Sequence, residues 1–156
     1  MAYIENGKYG IASNQEEKSR LLRKKGIEEV AWKNQFQNLR RRLYTGDSIY
    51  VVSVSSFIYS ACDFWRKMQI MEDEGISFIS EQEQYLNWSR ECPLSSATKD
   101  ILYRLAEREV RIMQDINSCK GLDYKMKNYL CDRLCMADVF TIQDIFKNGG
   151  IKKRGN

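Results

Sequence analysis

Strand-like and helix-like segments alternate along residues 8–80, and this alternation limits the possible folds more than any other feature of the chain. The strand-like segments are KYGIAS (8–13), IEEVAW (27–32), SIYVVSV (48–54) and ISFIS (76–80). The helix-like segments between them cover about 14–25, 34–45 and 59–74. Repeated strand–helix alternation is typical of a parallel sheet covered by helices. We therefore predict an α/β domain with a mainly parallel sheet of four to five strands.

Local signals place the ends of these segments. Asn14 is a good helix cap, with carboxylates in the first turn where they favour the helix dipole. Gly26 and Gly75 are helix-stop signals. The β-branched run at 48–54 follows a Gly-Asp turn pair and suits a strand that is buried on both faces.

The pattern becomes helical after a polar, irregular stretch at 81–94, which holds the only proline of the chain. Ser95 or Ser96 is expected to cap a long helix at 97–118. A second helix is predicted at 122–136 and a short third at 141–147, with Thr141 as its cap. We therefore divide the chain into an α/β domain (1–96), a long helix (97–120) and a small helical segment with a basic tail (121–156).

Composition narrows the class of protein. The chain has 156 residues, of which 43% are hydrophobic and 29% are charged, which is typical of a soluble globular domain. It shows neither an apolar run long enough for a membrane span nor a signal-peptide pattern at its start. We expect a cytoplasmic protein without membrane contact. The five cysteines include one close pair, Cys131 and Cys135, but there is no histidine, so we predict reduced thiols and no metal site.

Four segments resemble, in the same order, motifs of the serine recombinases, the resolvase and invertase family. YGIAS (9–13) is similar to the family's Y-A-R-V-S, and residues 45–65 resemble its G-D-x-L-V-V strand and D-R-L-G-R loop. EDEGISFISEQE (72–83) and ILYRLAEREV (101–110) resemble the motifs E-E-x-G-V-x-F-x-S-L-x-E and I-L-A-A-L-A-E-F-E-R. The resemblance covers about residues 8–118. It implies a resolvase-like three-layer domain followed by a long dimerisation helix.

The resemblance also implies a reaction, but the chain lacks most of the residues for it. In the family a serine attacks a DNA phosphodiester while several arginines stabilise the developing charge. Ser13 stands at the nucleophile position and Glu109 at the position of the family's glutamate. Family arginine and aspartate positions hold Ile11, Ser56, Phe57, Ser60 and Val110 instead. We predict an inactive relative; the alternative is an active recombinase that uses Ser13, with arginines drawn from 40–42.

The family's partners suggest what an inactive member binds. The resemblance implies a homodimer through the 97–118 helix, with Ile101, Leu105, Ile112 and Ile116 at the interface, unless this stripe covers the chain's own sheet and the next helix. It also implies a binding partner, which is either DNA, bound mainly through its phosphates, or an active recombinase of a mobile element. Candidate DNA contacts are Arg40, Arg41, Arg42, Lys125, Lys127, Lys152, Lys153 and Arg154. These basic runs are equally consistent with solvated helix faces.

Two further alternatives remain open. In one, the C-terminal segment folds back and covers the sheet with its apolar side chains. These are Tyr129, Leu130, Leu134, Val139, Phe140 and Ile145. In the other, the chain is an unrelated α/β module that binds a protein or a small molecule at the carboxyl ends of its strands. Neither glycine-rich phosphate motif, G-x-G-x-x-G or G-x-x-x-x-G-K, occurs, and we predict no cofactor.

Overall fold

Four parallel strands form the sheet in a computed structural model of the chain, which describes residues 6–148. The strands are β1 (Lys8–Ala12), β2 (Ile27–Trp32), β3 (Ser48–Val51) and β4 (Ser77–Ser80). Their order across the sheet is β2-β1-β3-β4, and every neighbouring pair is parallel. The predicted α/β class is therefore confirmed, with four strands in the described part of the chain.

The helices are α1 (Gln15–Leu22), α2 (Phe36–Arg40), α3 (Ala61–Glu74), α4 (Ser96–Asn117) and α5 (Tyr124–Phe146). Asn14 and Ser95 cap α1 and α4, where their side chains accept backbone N–H groups of Glu17 and Thr98. Gly75 ends α3 with a left-handed φ of 71°. A Cβ at Gly75 would lie 2.8 Å from Thr45 Cγ2. The turn therefore needs glycine both for its left-handed φ and for the space beside Thr45.

The prediction of two separate helices at 122–136 and 141–147 is wrong, because α5 runs unbroken through both. Neither glycine nor proline interrupts ADVF (137–140), so nothing in the sequence ends the helix there. Thr141 lies inside α5 and its hydroxyl donates to the Ala137 carbonyl at 3.0 Å. This backward bond satisfies a threonine within a helix and replaces the predicted cap.

The helices form layers on both faces of the sheet. α1 covers one face, where Leu21 packs with Ala12, Val30 and Val52. A larger core on the other face includes Leu39 of α2, Phe64 of α3 and Leu102 of α4. None of the described helices is long and apolar enough to cross a membrane.

The last helix folds back onto this larger core. α4 packs on α3, and α5 returns along α4 toward the carboxyl ends of the strands. Val139, Ile142 and Phe146 are buried there. Gln143 Nε2 donates to Ser53 Oγ at 2.8 Å, and Asn148 N donates to the Gln82 carbonyl at 2.8 Å. The fold-back alternative is thus confirmed for Val139 and the partly buried Ile145, whereas Tyr129 and Phe140 are exposed.

Candidate functional site

Residues 53–60 follow β3 and leave the carboxyl end of a central strand, where α/β domains usually carry their functional sites. We call this segment the tip loop. A short 3₁₀ turn, Val54–Ser56, opens it, and Ser60 ends it as the cap of α3, accepting the N–H of Asp63 at 2.9 Å. Phe57 and Ile58 are fully buried, whereas Tyr59 is exposed. The loop is therefore partly a core element.

The Phe57 side chain packs in the core, although the resemblance aligns this position with a family arginine. Its ring packs edge-on against Phe36, with centroids 5.3 Å apart, and against Phe78 at 5.1 Å. Ile11, at another family arginine position, is also fully buried in this core. In this chain the apolar side chains at these two positions stabilise the core. In the family, by the resemblance, arginines at the same positions would face the DNA phosphate.

One carboxylate joins Ser13 to Ser56. Glu17 Oε1 accepts both the hydroxyl and the backbone N–H of Ser13, each at 2.8 Å. Its other oxygen accepts the Ser56 hydroxyl at 2.7 Å. The structure thus brings together the predicted nucleophile position and one of the degenerate positions, but the group between them is an anion. Asn14, and not Ser13, caps the helix.

Two lysines reach the tip loop from other elements, although the loop itself carries no charge. Lys33 Nζ donates to the Ser55 carbonyl at 2.9 Å and lies 4.3 Å from the centre of the Tyr59 ring. Lys67 Nζ donates to the Phe57 carbonyl at 2.6 Å and pairs with Asp63 at 2.8 Å. Burial lowers the pKa of both ammonium groups. Each ammonium group therefore contacts one backbone carbonyl and an aromatic ring.

Glu109 has a structural role in this site. Its carboxylate is fully buried and accepts the N–H groups of Ala61 and Cys62, each at 3.0 Å, at the start of α3. Burial raises the pKa of Glu109, but hydrogen bonds from Asp138, Cys62 and Ala61 outweigh this and lower it overall. The charged carboxylate therefore completes the first turn of α3. A glutamate on an otherwise apolar helix face was the only sequence signal of this role.

Val110, the neighbouring degenerate position, is 42% exposed and lies away from the tip loop. It lines a groove between α3 and α4 with Trp65 and Tyr103, whose rings meet edge-on at 5.3 Å. The structure therefore places Val110 apart from Ser13 and Ser56, which Glu17 joins.

The C-terminal helix covers one side of the tip loop. Between them lies an open, largely apolar groove of about 490 Å³. Its walls include Lys33, Ile58, Tyr59, Cys135, Met136 and Phe140.

Most of the predicted DNA-binding residues within residues 6–148 are engaged elsewhere. Arg40 pairs with Glu74 at 3.2 Å, and Arg42 makes two bonds of 2.7 Å to Glu29. Lys127 Nζ donates to the Asn117 carbonyl at 2.8 Å. Arg41 and Lys125 are exposed. The tail residues Lys152, Lys153 and Arg154 lie outside the described residues.

The predicted dimer stripe on α4 is partly buried within the chain. Leu105 packs against the core, and Ile112 and Ile116 are partly buried. Ile101 is 37% exposed. The fully buried positions of α4 are Leu102, Ala106 and Glu109.

Comparison with protein-family models finds no matching family, and comparison with curated proteins finds no significant match. Within residues 6–148, no three cysteine or carboxylate side chains are placed to hold a metal ion.

Proposed function

We propose that this protein is a non-catalytic, resolvase-like protein of a mobile element, which acts in the cytoplasm by binding DNA or an active recombinase. One observation carries the non-catalytic part: the side chain that contacts the Ser13 hydroxyl is the Glu17 carboxylate, at 2.8 Å. The α/β fold and the four motif resemblances support the family relationship. The partner follows from that relationship.

The physical argument concerns the charge of the reacting phosphate. Attack by a serine on a phosphodiester builds negative charge, which an enzyme stabilises with preorganised donors and cations. Ser13 instead lies beside an anion, and Phe57 and Ile11 are buried in the core. Removing a single stabilising donor typically lowers the rate about a hundredfold to a thousandfold. Losing several together leaves no useful rate.

Binding remains available to such a protein because it needs exposed cations and not a reactive centre. DNA contacts would use Arg41, Lys125 and the basic tail at 152–154, since Arg40 and Arg42 already pair with glutamates. Contacts of this kind are made to phosphates and read little sequence. They also weaken steeply as salt is raised.

The decisive experiment measures cleavage and binding separately. The protein is incubated with DNA that flanks its own coding sequence, and covalent protein–DNA adducts are sought on denaturing gels. We expect no adduct, for the natural protein and for Ser13→Ala alike. An adduct that disappears in Ser13→Ala would establish the active recombinase instead.

Binding is followed by mobility shift at about 50 and 200 mM salt. We expect a shift that is lost at the higher salt and that weakens in Lys152→Gln/Lys153→Gln/Arg154→Gln. Arg40→Gln/Arg42→Gln is the matched control, and we expect it to bind nearly as well as the natural protein. Absence of any DNA shift, together with no complex with an active recombinase, would contradict the proposal.

The groove beside the tip loop supports a second candidate, a small-molecule or peptide-binding module. It is lined mainly by apolar side chains, with Lys33 at its edge, at the carboxyl end of a central strand. Such a module would gain thermal stability from an apolar carboxylate such as octanoate, and it would lose that gain in Lys33→Met. A shift with DNA and none with octanoate would favour the recombinase-like function.

A further inference from the structure

α5 carries a row of large, exposed apolar side chains, of which Met136 and Phe140 also border the groove beside the tip loop. Met126, Tyr129, Met136 and Phe140 are each between 45% and 57% exposed. Their spacing of three, seven and four residues places them on one side of a helix. The opposite side carries the buried residues Asp138, Val139, Ile142 and Phe146. Single apolar residues are ordinary on a surface, whereas several large ones on the same side of a helix favour an interaction face.

Two unpaired charges lie at the middle of this row. Arg133 falls between Tyr129 and Met136, and Asp132 borders it. Both side chains are exposed, and neither forms an ion pair within residues 6–148. We call these six residues the outer face of α5: Met126, Tyr129, Asp132, Arg133, Met136 and Phe140.

The outer face is complementary to the outer face of a second copy that runs in the opposite direction. Consider a second α5 running antiparallel, with a two-fold axis between positions 132 and 133. Tyr129 then faces the partner's Met136, and Met126 lies within one residue of the partner's Phe140. Each aromatic ring meets a thioether, a pairing that is favourable beyond its buried area.

The charges follow the same symmetry. Asp132 faces the partner's Arg133, and Arg133 faces the partner's Asp132, so one two-fold axis produces two ion pairs. With Arg133 included, the row has the alternating three- and four-residue spacing of a helix seam in a coiled coil. The helix has 23 residues and is about 35 Å long, which suffices for such a seam.

We propose that two copies of this chain pair through the outer face of α5, antiparallel across a two-fold axis between Asp132 and Arg133. The same patch on both copies makes the contact, as in most homodimers. This interface differs from the α4 stripe that the resemblance implies. It does not depend on DNA binding or on the loss of cleavage activity.

Charge exchange on the full-length protein tests this geometry. Light scattering and sedimentation give the mass between about 1 and 200 μM. We expect the natural protein to be a dimer, and Asp132→Arg or Arg133→Asp to weaken it at least tenfold, since each places like charges opposite one another. The double variant Asp132→Arg/Arg133→Asp should dimerise like the natural protein. An equimolar mixture of the two single variants should form heterodimers, because the changed positions then face each other with opposite charge.

Two control variants separate this interface from its alternatives. Asp115→Arg makes the same charge change at an exposed position of α4 and should leave the dimer unchanged. Val110→Glu changes the exposed side of α4 and should also have no effect. Circular dichroism should show all variants folded, because every changed side chain is exposed. A monomeric natural protein at 200 μM, a dimer that both single exchanges leave intact, or a dimer lost in Val110→Glu would each overturn the proposal.

Discussion

The buried side chains of Asp138 of α5 and Glu109 of α4 interact where the two helices meet the start of α3. Both carboxyl groups are at most 2% exposed. Asp138 Oδ2 accepts no hydrogen bond within residues 6–148, and Arg108 lies 3.6 Å from Oδ1. Burial raises the pKa of Asp138 to about 7, and hydrogen bonding to Glu109 and the negative charge of Glu109 add to this effect. The pair is therefore stable when it holds one proton, on Asp138.

This pair predicts that stability falls as the pH rises from about 4 to about 7. The folded state keeps a proton on Asp138 that the unfolded state releases near its ordinary pKa of 3.8, so the free energy of unfolding decreases over this interval. Asp138→Asn removes this dependence. The natural protein should lose more free energy of unfolding between pH 5 and pH 8 than Asp138→Asn does. We expect the difference, measured by urea unfolding, to be on the order of 1–2 kcal/mol.

Glu109 contributes with the opposite sign, because its pKa is lowered. Its share of stability is present above its ordinary pKa of 4.5 and is lost as the pH falls below that value. The two effects therefore lie in different pH intervals. Asp115→Asn, at an exposed position, serves as the control and should keep the natural pH profile. An unchanged slope in Asp138→Asn would show that Asp138 is ionised throughout.

Glu109 also predicts a difference between two substitutions. Glu109→Ala leaves the N–H groups of Ala61 and Cys62 without their acceptor and buries Asp138 without its partner. We expect a loss of roughly 2–4 kcal/mol in the free energy of unfolding. Glu109→Gln keeps an acceptor oxygen and should lose less than half as much. Equal losses in both variants would mean that the negative charge, and not the acceptor, stabilises the turn.

Much of the fold could be predicted because its signals are local. β2 has the predicted bounds, Ile27–Trp32, and the caps at Asn14 and Ser95 lie where the sequence places them. Gly75 ends α3 as predicted. Each of these signals depends on the residue itself and on neighbours within one turn.

The candidate site was harder to predict because contacts between distant elements build it. Lys67 binds the carbonyl of Phe57 from a position on α3, and Glu17 reaches Ser56 from α1. The tip loop itself gives no sign of either charge. Likewise, the periodicity of α4 does not distinguish a dimer face from a face that α5 covers, because both require apolar residues.

Lys67 provides a third prediction. It is only 6% exposed and supports the tip loop through the Phe57 carbonyl and the ion pair with Asp63. Lys67→Met leaves that carbonyl unpaired and Asp63 without its cation, and we expect a loss of roughly 2–4 kcal/mol in urea unfolding. Lys67→Met/Asp63→Asn should recover part of this loss, because the unpaired charge is gone. A double variant as unstable as the single one would assign the whole loss to the carbonyl contact.

The cysteines give the last prediction. Burial raises the pKa of Cys62 to about 12 and that of Cys135 to about 11, with Glu109 adding to both effects. Cys62 also donates to the Ala106 carbonyl at 3.3 Å. Cys92 and Cys119 are exposed. Because the thiolate is the reactive form, iodoacetamide at pH 8 should label Cys62 and Cys135 at least tenfold more slowly than Cys92.

Comparison with the unfolded protein separates this protection from intrinsic reactivity. In urea, mass spectrometry should show similar labelling rates at Cys62, Cys92 and Cys135. Glu109→Ala should accelerate labelling of Cys62 and Cys135 together, since it loosens the contact of α4 with both α3 and α5. Rapid labelling of Cys135 alone in the natural protein would mean that α5 leaves the tip loop while α3 and α4 stay packed. The fold-back of α5 would then be one of two populated states.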